Sequence, residues 1–245
     1  MAVPALIATA LILAGVGLSL GGANDAGRYG DRLLAEAAHR SGAALHIEAR
    51  DKGGAPIAIG PAVTGGVTVP LADAMGHAIG TLTAAPGTHA AATAAWLSRR
   101  IYVAGNLAEP DPFIAGAVHA PRADALVEKM LARFPDLVTL ALHVAPPGGG
   151  NIIAASSFGR IGKPGDSDDR HVEQDGAVLR EVTDSGTRLA VELPLLDRTG
   201  HSIGALSTSF TVPAGSDPQM RYVRAVAVRD ALARRIPSRA ALFAR

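Results

Sequence analysis

The chain of 245 residues has no cysteine, and aromatic residues make up only 4% of it. Without cysteine, the protein has no disulfide bonds, no thiolate metal ligands and no thiol nucleophile. The net charge is also small, because 23 Lys and Arg residues are balanced by 22 Asp and Glu residues, which gives +1 at pH 7. Proteins that bind nucleic acid through phosphate contacts carry a clear excess of positive charge. We therefore expect no nucleic-acid partner for the molecule as a whole.

Familiar catalytic and metal-binding motifs are missing too. There is no Gly-x-Ser-x-Gly nucleophile elbow and no His-Glu-x-x-His zinc motif. Residues 159–164 end in Lys-Pro and lack the spacing and the Ser or Thr of a phosphate-binding loop. The group Asp166, Asp168, Asp169 and His171 departs from the calcium-loop pattern and is interpreted as a solvated acidic loop. The sequence therefore predicts a protein that is not an enzyme, with no catalytic residues, metal or cofactor.

Residues 2–23 form a long run that is uncharged and mostly apolar. A stretch of about 20 apolar residues can serve as a secretory signal peptide or as an uncleaved membrane anchor. A buried core helix is the alternative, but four glycines between positions 15 and 22 disfavour a soluble helix. We therefore predict export, with residues 1–23 as signal peptide or N-terminal anchor, and a periplasmic or other extracytoplasmic location.

Residues 70–83 are repeated 124 positions later as residues 194–207, with Pro, Leu, Asp, Gly, His, Ile, Gly and Leu in matching places. Such a repeat indicates a duplicated structural unit. Alternating apolar residues around a glycine-containing centre are typical of two strands joined by a tight turn. Asp73 and Asp197 can accept hydrogen bonds from the turn backbone, and the glycine three residues after each can adopt a left-handed φ. The sequence therefore predicts one β-hairpin in each half.

The remaining pattern predicts an α+β fold of two tandem modules, each a central antiparallel sheet with flanking helices. The first, shorter module covers residues 24–107. Residues 108–112 contain two prolines, which exclude regular structure, and they open the second module, residues 108–245. In that module we expect a helix, two strands, a polar stretch at 158–177, three further strands and a basic closing helix.

The second module resembles a known family through short, glycine-containing segments. These segments are residues 152–164 (Ile-Ile-Ala-Ala-Ser-Ser-Phe-Gly-Arg-Ile-Gly-Lys-Pro), 193–197 and 200–206. They are similar to Cache domains, the PAS-like extracytoplasmic ligand-binding domains of bacterial receptors, over residues 120–213. The resemblance implies tandem PAS/Cache-like modules and a pocket covered by residues 158–177 that takes a small organic acid or other anionic metabolite. It also implies signalling through a separate membrane partner, since no output domain is expected in the chain.

The expected ligand-binding residues come from the resemblance and from the strand pattern. By resemblance, Arg160 and Lys163 contact the ligand, and both side chains suit a carboxylate. Alternation along the strands places Arg188 and a row of small hydroxyl residues on the sheet face away from the helices. The full set is Arg160, Lys163, Arg188, Ser156, Ser207, Ser209 and His143. An exposed sheet face with an ordinary surface arginine, and a half-buried core histidine, are the alternatives.

These features together predict an extracytoplasmic protein that binds or senses a small ligand without turning it over. The alternatives are a hydrolase that uses the loop 158–177, and an interaction module with no ligand. From residue 218 onward seven arginines accompany one acid, Asp230. This basic helix predicts either a solvated face or contact with anionic lipid or an acidic partner. A homodimer is also compatible with the sequence.

Overall fold

The computed structural model describes residues 27–244. Within them the chain is a mixed α+β protein with two antiparallel sheets and five α-helices. The helices are α1 (Tyr29–Ser41), α2 (Ala90–Ser98), α3 (Pro121–Arg133), α4 (Ser167–Asp175) and α5 (Gln219–Ala233). The strands are β1 (Leu45–Arg50), β2 (Pro56–Ile59), β3 (Val67–Ala72), β4 (Ala78–Ala84), β5 (Leu137–Val144), β6 (Ile152–Ser156), β7 (Leu179–Thr183), β8 (Arg188–Leu196) and β9 (Ser202–Thr211).

The signal peptide or anchor predicted for residues 1–23 lies outside the described residues. Between residues 27 and 244, no helix combines the length and the apolarity that crossing a membrane requires.

The two sheets share a strand order. The first sheet runs β2-β1-β4-β3, and the second runs β6-β5-β9-β8-β7, with every neighbouring pair antiparallel. Apart from the additional edge strand β7, the second sheet therefore repeats the order of the first. This agrees with the duplication that the sequence repeat predicts.

The repeated segment forms the same hairpin in both sheets, β3–β4 and β8–β9. In the first, the Asp73 carboxylate accepts the backbone N–H of His77 at 3.0 Å; in the second, Asp197 accepts that of His201 at 3.2 Å. The glycine before each histidine has a φ of 87° or 86°, in the left-handed region that favours glycine. Each hairpin also has a register shift at the same repeated position near the end of its first strand. The predicted hairpins are confirmed.

A second pair of repeated glycines has a different role. A Cβ on Gly80 would lie 1.9 Å from the carbonyl oxygen of Glu48, and one on Gly204 would lie 2.1 Å from that of His143. These distances are far below van der Waals contact, so the neighbouring strand can pass this closely only beside a glycine. The turn explains the first glycine of each repeat, and strand packing explains the second.

Each sheet buries one face against helices. In the first sheet, Ile47, Leu71 and Leu82 belong to a core that also contains residues of α1 and α2. In the second, Val191 and Phe210 belong to a larger core that also contains residues of α3 and α5. Because the side chains of a strand alternate between faces, the residues next to Val191 and Phe210 in sequence, and with them most of the polar residues of β8 and β9, lie on the opposite face.

Helix α4 covers that opposite face of the second sheet and lies inside the stretch predicted to be a polar loop. Its N-cap, Asp166, accepts the backbone N–H groups of Asp168 and Asp169, while the Asp169 carboxylate accepts the N–H of Asp166 at 3.0 Å. This reciprocal cap satisfies helix donors that would otherwise be free. The expectation of a solvated acidic loop is wrong here, because two of its acids cap a helix and Asp169 is buried.

The two halves of the chain meet around Tyr29. Its buried hydroxyl donates to the carbonyl oxygen of Arg100 at 2.8 Å, and the carbonyl oxygen of Ser157 lies 3.4 Å away. Nearby, the Arg160 guanidinium makes a two-pronged ion pair with Glu109, with N–O distances of 3.0 and 2.9 Å. A bidentate pair of this kind fixes orientation as well as adding charge attraction.

Candidate functional site

The face of the second sheet beneath α4 carries most of the polar residues predicted to bind a ligand. In the β8–β9 register, Glu192 lies opposite Ser207, and Ala190 lies opposite Ser209. Arg188 follows on the same side of β8. The structure therefore places Arg188, Ser207 and Ser209 on one face, as the strand pattern predicts.

His143 and Asp169 join α4 to this face. The His143 Nδ1 atom lies 2.8 Å from Oδ1 of Asp169, although the two atoms fall short of the alignment of a hydrogen bond. Burial acts to raise the pKa of Asp169, but the His143 ring and the N–H of Asp166 outweigh it and hold that pKa below its usual value. Asp169 is therefore a carboxylate, and one of its oxygens is already committed to the helix cap.

Glu192 is the least satisfied polar group on this face. One carboxylate oxygen, Oε1, lies at a long 3.4 Å from the Ser207 hydroxyl, and the other, Oε2, is buried with no partner in the described part of the chain. Burial raises the pKa of Glu192 to about 7, and the nearby Asp169 carboxylate adds to the effect. A carboxyl group that titrates near neutral pH, with a free oxygen, is poised to accept a proton or a cationic partner.

A surface cavity of about 370 Å³ opens beside Glu192. Its lining residues are Asp168, Leu179, Arg180, Glu181, Ala190 and Glu192. Three carboxylates thus accompany one guanidinium, and the Arg180 group is already engaged, because it donates to Gln219 at 3.0 Å and lies 4.8 Å from the Tyr222 ring centre. The cavity therefore has a negative lining.

Two of the predicted serines have their hydroxyls occupied. The Ser209 and Thr139 hydroxyl oxygens are 2.5 Å apart, and both side chains are buried. The Ser156 hydroxyl donates to the carbonyl oxygen of Gly159 within the turn that follows β6. These contacts give both serines a structural role, so of the predicted hydroxyls Ser207 lies nearest to the unsatisfied carboxylate.

The predicted basic residues do not converge on the cavity. Arg160 is paired with Glu109 at the junction of the two halves, and Lys163 is exposed on the loop before α4. Arg188 donates to Asp184 at 2.8 Å, with its guanidinium carbon 5.0 Å from the Tyr102 ring centre. The strand pattern predicts the face on which Arg188 lies, but none of the three cations lines the cavity.

Some of the arginines that make the C-terminal helix α5 basic are paired with acidic residues. Arg221 and Arg224 both contact the Asp136 carboxylate, with N–O distances of 3.1 and 2.7 Å. Hydrogen bonds from Arg224 hold the pKa of Asp136 below its usual value. Beyond the helix, Arg239 donates to Glu173 of α4 at 3.0 Å. Several of these arginines thus stabilise the second half internally.

Sequence reasoning missed Glu192 and the role of Asp169. Glu192 stands in a strand whose alternate residues are apolar, so a signal was present: a carboxylate on the face of the strand opposite its apolar residues. Asp169 follows Asp166 by three residues, which is the spacing of a reciprocal helix cap. Neither signal reveals that the two carboxylates come together, because that depends on where α4 packs.

No protein-family model matches the chain, and no curated protein sequence matches it. Among solved structures it is similar to the repressor BlcR of Agobacterium tumefaciens, at 14% identity and a TM-score of 0.32, over 48% of this chain and 68% of that one. It is also similar to the C-terminal domain of the E. coli transcriptional regulator KdgR, at 16% identity and a TM-score of 0.29, over 49% and 97% of the two chains. TM-scores this low do not establish a common fold, and we take no function from either protein.

The identification as a Cache domain is wrong: no family model matches the chain, and neither of these two solved structures is a Cache domain. Extracytoplasmic sensing and signal transduction, inferred from that resemblance, are wrong with it. The described residues add no support for a signal peptide, a membrane anchor or the periplasm. The segment 200–206 owes its glycines to the turn and to close strand packing, which do not distinguish one hairpin-containing family from another. We assign the chain to no family.

Proposed function

We propose that the second half of the chain binds a small molecule carrying a protonated amine, in the cavity beside Glu192. The observation that carries the proposal is the Glu192 carboxylate itself, with a buried oxygen that has no partner in the described residues. A buried acceptor without a donor is costly, and an ammonium group supplies both a donor and a compensating charge.

The charge around the cavity favours a cation over an anion. Asp168 and Glu181 line it together with Glu192, and Asp169 lies close enough to raise the Glu192 pKa. A bound carboxylate would add another negative charge to this group, whereas an amine would relieve the repulsion. The small organic acid expected from the sequence therefore does not suit this site.

We propose binding without chemical turnover. A hydrolase acting here would need a nucleophile next to a base. Among the described residues, His143 has no hydroxyl group within hydrogen-bond distance, and its close partner Asp169 serves the cap of α4. His143 and Asp169 therefore both help to hold α4 in place. This supports a binding site in preference to the hydrolase alternative.

We further propose that the two sheets are PAS-like copies of one unit. In the second half, a helix and two strands are followed by a long connection and a three-stranded meander, the order expected for such domains. The shared strand order and the matching hairpins support the duplication. Among the described residues, the first copy has no counterpart of the covering helix α4 or of the edge strand β7, so only the second copy forms the Glu192 cavity.

A thermal-shift screen at pH 8 tests the binding proposal. Small primary amines are compared with carboxylates of similar size, on the wild-type chain and on Glu192→Gln. A ligand at about 100 times its Kd adds about 2.7 kcal/mol of stability, which raises the Tm by several degrees. We expect this rise with at least one amine and its loss in Glu192→Gln.

The matched control is Glu181→Gln, which removes another carboxylate of the same cavity and should keep most of the response. Stabilisation by carboxylates alone, or amine stabilisation that survives Glu192→Gln, would refute the site. Incubation of a stabilising amine with the protein, followed by mass spectrometry of the small molecule, tests the absence of turnover.

A further inference from the structure

A groove of about 340 Å³ lies between α1 and α2 in the first half of the chain, far along the sequence from the Glu192 cavity. We infer that this groove binds an aromatic carboxylate. Its floor is apolar, formed by Ala37, Ala92 and the Trp96 ring, and its polar rim includes Arg40 and His89. The lining has no carboxylate, so its charge is opposite in sign to that of the Glu192 cavity.

Arg40 is an uncommitted cation at the edge of this groove. Within residues 27–244 its guanidinium makes no ion pair and no hydrogen bond, and its central carbon lies 5.0 Å from the Trp96 ring centre. An arginine held over an aromatic face presents its N–H groups in a plane that suits both oxygens of a carboxylate.

The start of α2 adds a second source of positive potential. No side chain caps this nine-residue helix, and the N-cap residue His89 lies in the groove with Ala92 of the first turn. The free N–H groups and the helix dipole at such an end attract anions. The helix has no charged residue of its own between Ala90 and Ser98, so nothing within it opposes this potential.

Trp96 supplies the wall for an aromatic ring. One guanidinium, that of Arg100, already stacks at 3.8 Å from the ring centre, and Arg100 is in turn paired with Glu128. The indole Nε1–H is buried and has no acceptor among the described residues. An aromatic ligand entering beside the indole would cover apolar surface, while its carboxylate meets Arg40 and the α2 terminus.

Trp96 is also the only tryptophan of the chain, so its fluorescence reports on this groove alone. The experiment titrates the full chain with benzoate and, separately, with benzylamine. We expect a saturable change in tryptophan emission with benzoate and none with benzylamine. Arg40→Gln should raise the Kd for benzoate about tenfold, as expected for the loss of one charge-assisted contact.

Arg50→Gln is the matched control, because Arg50 is a cation of the same half that lies on β1 outside the groove. It should leave the Kd unchanged, and Glu192→Gln should also bind benzoate like the wild type, which separates this site from the proposed amine site. Far-UV circular dichroism verifies that each variant is folded. A non-saturable response, or an equal Kd in the wild type and Arg40→Gln, would overturn the inference.

Discussion

The Asp169 carboxylate contacts His143 with one oxygen and caps its own helix with the other. Oδ1 lies 2.8 Å from the His143 Nδ1 atom, and Oδ2 accepts the backbone N–H of Asp166 at 3.0 Å. A single side chain thus both starts α4 and fixes the helix to the inner strand β5. The position of α4, and with it the burial of Glu192, depends on this residue.

Replacing Asp169 by asparagine should loosen α4. We expect a loss of about 1–3 kcal/mol in the free energy of unfolding, because the cap weakens and the half-buried His143 ring loses its charged neighbour. Urea denaturation measures the loss, and hydrogen exchange should show faster exchange in α4 than in β5. Asp168→Asn is the control, since it removes an exposed carboxylate from the same helical turn. Equal stabilities for the two variants would contradict this account.

Glu192 should make stability depend on pH near neutrality. Its pKa is about 7 in the folded chain against an ordinary value of 4.5, so the folded state retains a proton that the unfolded state releases between these values. The free energy of unfolding therefore falls as pH rises from about 4.5 to 7, and the penalty is complete above pH 7.

Glu192→Gln should remove this penalty. We expect the variant to be about 1–2 kcal/mol more stable than the wild type at pH 8, a figure reduced from the full shift because the side chain is partly exposed to solvent. At pH 4.5 the two proteins should differ little. Denaturation midpoints across this range measure the effect, and a difference that does not change with pH would exclude the titration of Glu192 as its cause.

Gly204→Ala should be severely destabilising. The new methyl group would lie 2.1 Å from the His143 carbonyl oxygen, so β5 and β9 would have to separate at the centre of the second sheet. A loss of about 3 kcal/mol or more is expected, in the range of the worst core substitutions. Gly150→Ala is the control, because nothing lies within 4 Å of the added atom there. Thermal denaturation of both variants tests the difference.

The Arg160–Glu109 pair should stabilise the start of the second half, where the backbone of Glu109 accepts the N–H of Tyr29. Both side chains are about a quarter exposed, so their contact is partly shielded from water. A double-mutant cycle with Arg160→Gln and Glu109→Gln should give a coupling energy of about 0.5–1.5 kcal/mol. A coupling near zero would mean that Arg160 is free for another partner, which would reopen its earlier prediction as a ligand residue.

The hairpins could be predicted from the sequence because their information is local. Asp73 and Asp197 act on backbone groups only a few residues away, so composition and spacing define the turn. Helix α4 was missed for the opposite reason: its residues are strongly polar, and most of its stabilising partners come from elsewhere. Glu173, for example, contacts both Asn151 and Arg239, which are distant from it in sequence.

The candidate site could likewise be predicted only where the information is local. Alternation along β8 and β9 was sufficient to place Arg188 and Ser207 on one face. It could not show that Arg188 is held by Asp184, or that Glu192 would be covered and left without a donor. Those properties depend on the register of the sheet and on the packing of α4, and both are set by tertiary contacts.

Tyr29 lies in α1, yet its hydroxyl sits between carbonyl oxygens of both halves, those of Arg100 and Ser157. If the first half opened alone, the contact of the Tyr29 hydroxyl with Ser157 and the hydrogen bond from the Tyr29 N–H to the carbonyl oxygen of Glu109 would be lost together. Separating the halves would therefore leave hydrogen-bonding groups without partners in both of them. We expect heat or urea to unfold residues 27–244 in one cooperative transition, although these residues form two sheets that each have a main core of their own.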